Sequence, residues 1–314
     1  MITTNVEILV LKGNVTMTNY TEKAYLLLDV GGTQIKGAVF DEKGNRKTDI
    51  SSYPSKSRES ADVILDNFAF ILRELMNTNP QAEIIGVGMA FPGPFDYEKG
   101  ICQIQGLNKY DSIYGRALEP EMKKRIPEIE NAKFGYLHDI EAFAVGEAWF
   151  GEMQNESKIV CLCIGTGTGT AFLKDRVPQK SGEGVPECGW LYWLPYRDSI
   201  IDDYISVRGL ERICKEVFGE PKSGKELYDL CQKNDEAALE AWKKFGDEII
   251  AAILPVIEDF HPNAIIFGGQ ISKSFSYFGK DFAKECEKRN IKIHVQTETS
   301  EKAMQGLFVK MTRG

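Results

Sequence analysis

Histidine is scarce in this sequence, three in 314 residues, and the three are scattered, so no metal cage can be assembled from spacing. The seven cysteines are an odd number and contain no Cys-x-x-Cys pair. Cys161 and Cys163 alternate within "IVCLCIG" and are expected on one face of a buried strand. All seven read as reduced thiols, which points to a cytoplasmic protein. Positive charge is short as well: 38 Lys and Arg stand against 46 Asp and Glu, a net charge of −8. Nonspecific nucleic-acid binding needs a basic face, and no basic cluster with interleaved aromatics supplies one, so nucleic acid is not an expected partner. Apolar runs are too short to span a bilayer, and "VEILVL" (6–11) is too short for a signal-peptide core, so no membrane is expected either. Residues 1 to 22 read as an appended arm, within which Met17 is an alternative natural start.

What is present is an alternation of strand and helix patterns, which favours α/β layers. "SADVILDNFAFILRELMN" (60–77) repeats its apolar residues at helical spacing. "EIIGVGMAFPGPFD" (83–96) reads as a buried strand running into a Pro/Gly loop, and "GYLHDIEAFAVGEAWFG" (135–151) as a strand that becomes a small-residue helix after Asp139. A long helix is expected over 239–260, a strand ending at paired glycines over 262–272, and a last helix over 301–311. The length allows two domains with separate cores, and the absence of a low-complexity linker predicts that they meet in a rigid cleft.

Three glycine turns each follow a strand: Gly31-Gly32-Thr33 in "LLLDVGGTQIKGAVFD", Gly165-Thr166-Gly167-Thr168-Gly169 in "IVCLCIGTGTGTAFLKD", and Gly268-Gly269 in "AIIFGGQIS". The first two lie in strand–turn–strand units, a weak internal echo. Neither a Walker loop nor a dinucleotide fingerprint is present, since both need their glycines to open a helix. Glycines still expose backbone N–H groups to an anion. An ordinary hairpin explains the first turn alone equally well; three such turns in order point to a nucleotide cleft.

In those motifs, and in "GVGMAFPGPFDYEKGI" (86–101) and "HDIEAFAVGE" (138–147), the sequence resembles the ROK family of sugar kinases and related repressors over about residues 24 to 311. The resemblance implies two actin-like (ribonuclease H-like) α/β domains with a nucleotide and sugar cleft between them: a small N-terminal domain over 23–136, joined by a C-terminal helix at 300–314, and a large domain over 137–299. It implies Mg-ATP as phosphoryl donor and a hexose or hexose derivative as acceptor, with transfer expected at the 6-hydroxyl. Gly31, Gly32, Thr33, Gly165, Thr166, Gly167 and Thr168 would hold phosphates, Gly268 and Gly269 would lie against the nucleoside, and Asp29 would orient magnesium through water. Asp139 matches the family's catalytic aspartate, the general base; as a carboxylate between strand and helix it also suits a helix cap, and the two roles are compatible. The residue before it is His138 where the family usually has Asn, with phosphate contact, sugar contact and packing all open to it.

On the sugar side the resemblance implies contacts from Asn108 and Asp111 in "LNKYD", from Glu187 in "GEGVPECGW", and from Asp203 before "YIS". A turn role for Asn108 and a helix-start role for Asp203 are the plain alternatives. Trp190 stands where the family has a histidine, as pocket wall or as core, and "LYWLPYRDSIIDDYIS" (191–206) has no cysteine. No structural zinc is therefore expected. Two further readings stay open: polyphosphate as donor, and a sugar-sensing protein without catalysis. A helix-turn-helix module has no room in 22 residues, which disfavours the second. Homodimers are common in the family, so the resemblance leaves a homodimer open, and the sequence itself does not fix the oligomeric state.

Overall fold

The computed structural model describes residues 6–11 and 14–313, with side chains from Tyr20 onward. Of the arm expected at residues 1 to 22, positions 1–5, 12 and 13 lie outside the described residues; strands Val6–Leu11 and Asn14–Asn19 pair antiparallel with each other. The chain divides into two units, residues 1–146 with 300–314, and residues 147–299.

The first unit is built on a five-stranded sheet in the order Ser51–Pro54, Gln34–Phe40, Glu22–Val30, Ala82–Phe91, Lys133–His138. The first three strands run antiparallel to their neighbours, while Glu22–Val30, Ala82–Phe91 and Lys133–His138 are parallel. The central strand carries Leu26, Leu27 and Leu28, all fully buried, because a strand covered on both faces reads as a continuous apolar run. Helix Ala61–Thr78 buries Ile64, Leu65, Phe68, Ile71, Leu72 and Leu75. Its cap residue Ser60 makes no side-chain bond. Each buried Leu, Ile or Phe contributes ~1.5–3 kcal/mol, so the apolar stripe outweighs the missing cap.

The second unit repeats this plan. Its sheet runs Val177–Gln179, Thr168–Lys174, Lys158–Ile164, Ala264–Gly268, Lys292–Val295, again with two antiparallel pairings and then two parallel ones. Helix Glu236–Glu258 is capped by Asp235, whose carboxylate accepts the Ala238 N–H at 2.9 Å, and it buries Trp242, Phe245, Ile249 and Ile253. The faint sequence echo between the two glycine hairpins is thus the visible part of a repeated topology.

Small residues let backbones meet in the first unit. A Cβ on Gly146 would stand 1.8 Å from the Lys302 carbonyl oxygen, and one on Gly306 would stand 1.8 Å from that of Ala142. The helix that begins at Asp139 and the last helix therefore cross at backbone contact. Met311, near the end of that last helix, fills the space that Gly86 and Gly135 leave open on the sheet. Gly306→Ala should force the two helices apart, since carbonyl groups cannot rotate away as a side chain can. Overpacking of this kind costs ~1–3 kcal/mol. Urea denaturation of Gly306→Ala should show a loss in that range; an unchanged midpoint would mean that the crossing is loose.

Candidate functional site

The first glycine turn joins Glu22–Val30 to Gln34–Phe40. Gly31 N–H donates to the Gln34 carbonyl at 2.9 Å, and a Cβ on Gly31 would crowd that same oxygen at 2.9 Å. The turn's carbonyls are all occupied. Tyr110 Oη donates to Gly31 O at 2.8 Å, the hydroxyls of Ser55 and Ser57 both donate to Gly32 O at 2.7 and 2.5 Å, and Ser55 N–H donates to Thr33 O at 2.9 Å. Gly32 and Thr33 are exposed. Among the described residues neither of their N–H groups, nor the Thr33 hydroxyl, meets a protein acceptor. Partial negative charge is turned into the protein and partial positive charge faces out, the arrangement that suits an anion.

Asp29 ends the strand that enters this turn and is half-buried. Burial pushes its carboxyl above the ordinary range; the Ser300 hydroxyl pulls it down, the charge of Asp139 pushes it up again, and Lys36 pulls it down. Lys36 Nζ also donates to Ser300 Oγ at 3.1 Å, so the start of the last helix is tied to this acid. Asp139 begins helix Asp139–Phe150, at the end of strand Lys133–His138. Its Oδ1 accepts the Ile140 N–H at 2.7 Å and lies 3.2 Å from His138 Nδ1. Helix-start contact and availability coexist here, because nearly half of the side-chain surface, 46%, is exposed. His138 also meets Tyr97 edge-on, with ring centroids 5.9 Å apart.

The loop containing Asn108 lies in the same unit and borders a cavity of about 380 Å³ lined by Ser57, Arg58, Gly106, Asn108 and Asp111 among others. Asn108 and Tyr110 both take left-handed backbone, at φ 55° and 59°. The Asn108 side chain is exposed and has no hydrogen-bond partner among the described residues, while its carbonyl accepts from Arg58 Nε at 3.2 Å. Asp111 is differently employed. One carboxylate oxygen accepts the Lys109 N–H at 2.8 Å and the other the Gly106 N–H, so this acid holds the loop's shape.

In the second unit the turn between Lys158–Ile164 and Thr168–Lys174 repeats the pattern of the first. Gly165 N–H donates to Gly167 O at 3.0 Å, Val207 N–H to Gly165 O at 2.9 Å, and Arg208 Nη1 to Thr166 O at 3.2 Å. The N–H groups of Thr166 and Gly167 find no protein acceptor among the described residues. Thr168 is spent inside the protein: its N–H donates to Asp202 Oδ1 at 2.6 Å and its hydroxyl to Ile205 O at 2.5 Å. Gly268 and Gly269 end the neighbouring parallel strand. Gly269, at φ 84°, lies so close to Ile164 that a Cβ would meet the Ile164 carbonyl oxygen at 2.4 Å. The second and third glycine turns are therefore in contact through backbone.

Glu187 opens a short 3-10 turn, Glu187–Gly189, and is exposed. The turn is anchored by Thr170, whose hydroxyl donates to Gly189 O at 2.8 Å and accepts from Leu191 N–H at 3.0 Å. Trp190 follows it, half-buried, its ring 5.9 Å from that of Tyr192. Asp203 is committed to neighbours, accepting from Ser199 and pairing with Arg208 Nε at 3.4 Å. Among the described residues no group of three or more His, Cys, Asp or Glu is arranged to hold a metal ion, and no helix is long and apolar enough to cross a membrane.

Sequence reasoning missed the side chains that shape both turns: Ser55, Ser57 and Tyr110 in one unit, Asp202 and Arg208 in the other. The only local sign was Asp202 beside Asp203 ahead of the arginine; the tyrosine and serines gave none, because their bonds join distant parts of the chain.

Two five-stranded α/β units of one topology define the actin-like ATPase class of fold. The model of the ROK family matches residues 25–306, and the chain belongs to that family. It is 24% identical over 274 residues to an N-acetyl-D-glucosamine kinase of Haemophilus influenzae, covering 81% of this chain and 86% of that one. Among solved structures it resembles a ROK hexokinase from Thermus thermophilus (TM-score 0.68, 18% identity, 93% of this chain and 100% of that one). It also resembles a ROK glucokinase from Streptomyces griseus in complex with glucose and AMPPNP (TM-score 0.70, 17% identity, 90% and 97%).

The elevated carboxyl of Asp29 has a consequence for stability. A group whose folded value is raised contributes fully below its unfolded value, and that contribution is lost as pH rises through the folded value. Ionised Asp29 is thus a net cost at neutral pH. Asp29→Asn should melt higher than the native chain at pH 7.5 in the presence of a chelator, and the gap should close toward pH 4. A lower melting temperature at pH 7.5 would show that the carboxylate is instead well solvated or well paired.

Proposed function

We propose that this chain is a sugar kinase that transfers the γ-phosphoryl group of ATP to the 6-hydroxyl of a hexose or hexose derivative. One observation carries the reading: in both glycine turns every carbonyl is bound within the protein while adjacent N–H groups are left to an anion. Phosphoryl transfer rests mainly on positioning and charge neutralisation, and such cradles provide both.

In this reading Gly32, Thr33, Thr166 and Gly167 hold phosphate oxygens through their N–H groups, with Gly31, Gly165 and Thr168 shaping the turns. Gly268 and Gly269 offer bare backbone to the nucleoside. Asp29 suits a hydrated magnesium ion, because a desolvated carboxylate beside a second one gains from a cation, and magnesium binds through one or two carboxylates while keeping its water. When bound, that ion neutralises charge on the transferring group. Asn108 and Glu187 bind sugar hydroxyls; Asp111 and Asp203 support them by fixing their loops. The sugar oxygen bonds the γ-phosphorus as the bond to the β–γ bridging oxygen breaks. Asp139 takes the hydroxyl proton, and ADP leaves.

A coupled assay of N-acetylglucosamine, glucose and other hexoses against ATP, GTP and polyphosphate tests the reading and names the acceptor. No turnover of any sugar with any donor would overturn it. Asp139→Asn should retain sugar binding and lose ~10²–10⁴ in kcat, the usual worth of a general base. Retention of more than about a tenth of the activity would remove Asp139 from that role. Glu187→Ala should weaken binding of the accepted sugar roughly ten- to a hundredfold, since a charge-assisted hydrogen bond is worth ~1.5–3 kcal/mol. Unchanged affinity would mean that Glu187 does not contact sugar.

A further inference from the structure

No lysine follows the Gly31-Gly32-Thr33 turn in sequence; Gln34 stands there. One reaches the turn in space. Lys109, from the loop that carries Asn108, brings its Cδ to 3.4 Å from the point where a side chain on Gly32 would begin. Its aliphatic stem therefore lies along the bare Cα of Gly32, and its ammonium is two bonds further on. Lys109 is half-buried, and among the described residues its ammonium has neither an ion-pair nor a hydrogen-bond partner. An unpaired cation held at reduced exposure beside two outward N–H groups is costly until an anion joins it.

The position of Lys109 is well determined. Its N–H donates to Asp111 Oδ2 at 2.8 Å, and left-handed residues flank it at Asn108 and Tyr110. Tyr110 in turn is fixed at both ends, its N–H donating to Ser57 O at 2.6 Å and its hydroxyl to Gly31 O at 2.8 Å. Backbone of this kind persists only where surrounding contacts over-determine it. Here those contacts join the loop to the glycine turn, so the backbone of Lys109 is tied to the turn while its ammonium stays on a flexible stem.

We propose that Lys109 is a phosphate-binding residue, whose ammonium contacts a phosphate of the donor seated on the Gly32 and Thr33 N–H groups. The proposal rests on the kinase reading above and adds a cation that the turn's own sequence lacks. It also gives the loop two duties, sugar through Asn108 and donor through its neighbour. Lysine suits the second as a compact charge on a flexible stem, able to follow a phosphate whose charge changes during transfer.

The test uses the full chain and compares Lys109→Met, which keeps the stem, with Lys109→Arg, which keeps the charge. Kinetics with ATP and the best acceptor are measured together with calorimetric binding of ATP and of adenosine. Lys109→Met should lose roughly ten- to a hundredfold in kcat/KM for ATP and bind ATP correspondingly less well. Its sugar KM and adenosine affinity should stay at the native level, and Lys109→Arg should recover most of the loss. The inference is overturned if Lys109→Met keeps native kcat/KM for ATP, if the loss appears in the sugar KM, or if adenosine weakens as much as ATP. A lower melting temperature in Lys109→Met does not obscure the answer, because the ratio of ATP to adenosine affinity is read on folded protein. Failure of the kinase reading looks different: the native chain would then turn over no sugar and bind no ATP, and both proposals would fall.

Discussion

The functional reading depends on where the carbonyl oxygens of two short turns point. A glycine turn is neutral overall; its N–H groups attract an anion and its C=O groups repel one. Selectivity for an anion arises only when the carbonyls are engaged elsewhere. In the first turn Tyr110, Ser55 and Ser57 engage them, and in the second the N–H groups of Gly165 and Val207 and the Arg208 guanidinium do the same work. The hydroxyl bonds to Gly32 O matter most, since that carbonyl sits between the two outward N–H groups. A hydrogen bond of this type contributes only ~1 kcal/mol to stability. Its larger effect is to remove the rotation by which the peptide could present oxygen to an anion.

The repeated topology explains why such turns recur. In each sheet the antiparallel hairpin is followed by parallel strands, so the chain reverses direction of growth beside the hairpin. In open α/β sheets such a switch point is where the ends of the strands commonly leave a crevice for ligands. Buried strands on both sides hold each glycine turn. Leu26 to Leu28 anchor the first turn and Ile159 to Leu162 the second, all nearly inaccessible. The sheet gives the turn rigidity, and the turn's own lack of side chains gives access.

Local periodicity made the architecture legible. The 3.6-residue stripe from Ile64 to Leu75 and the leucine run before Gly31 each report burial within a few residues of chain, and both elements form where the patterns put them. The repeated strand order was visible only as a faint echo, because pairing between strands is a nonlocal fact. The parts of the site that stayed hidden share that property. Tyr110 reads as one more aromatic in a polar loop, Ser55 and Ser57 as turn residues, Ser300 as an ordinary helix start. Each acquires meaning only through a partner far along the chain. Asp111 carries a further contact that the sequence does not signal: its two oxygens accept the Gly106 and Lys109 N–H groups and hold the loop's shape.

Asp29 shows how stability and chemistry oppose each other in this unit. Burial and the neighbouring charge of Asp139 both disfavour its ionised form, while Ser300 and Lys36 relieve only part of that cost. A sequence selected for stability alone would place an amide or an alanine there. The cost has structural use, because an acid held in an unfavourable environment gains most when a cation arrives. The same reasoning applies at Lys109, with the sign reversed: a cation without a partner gains most from an anion. Two charges of opposite sign, Asp29 only partly compensated and Lys109 without a partner, therefore stand on one unit near one turn, and among the described residues no ion pair joins them. Had they been paired, each would have been content in the empty protein, and neither would favour a ligand. In the proposed reading, their separation preserves binding energy for a charged pair brought from outside, a cation for the acid and a phosphate for the lysine, as a magnesium nucleotide would supply.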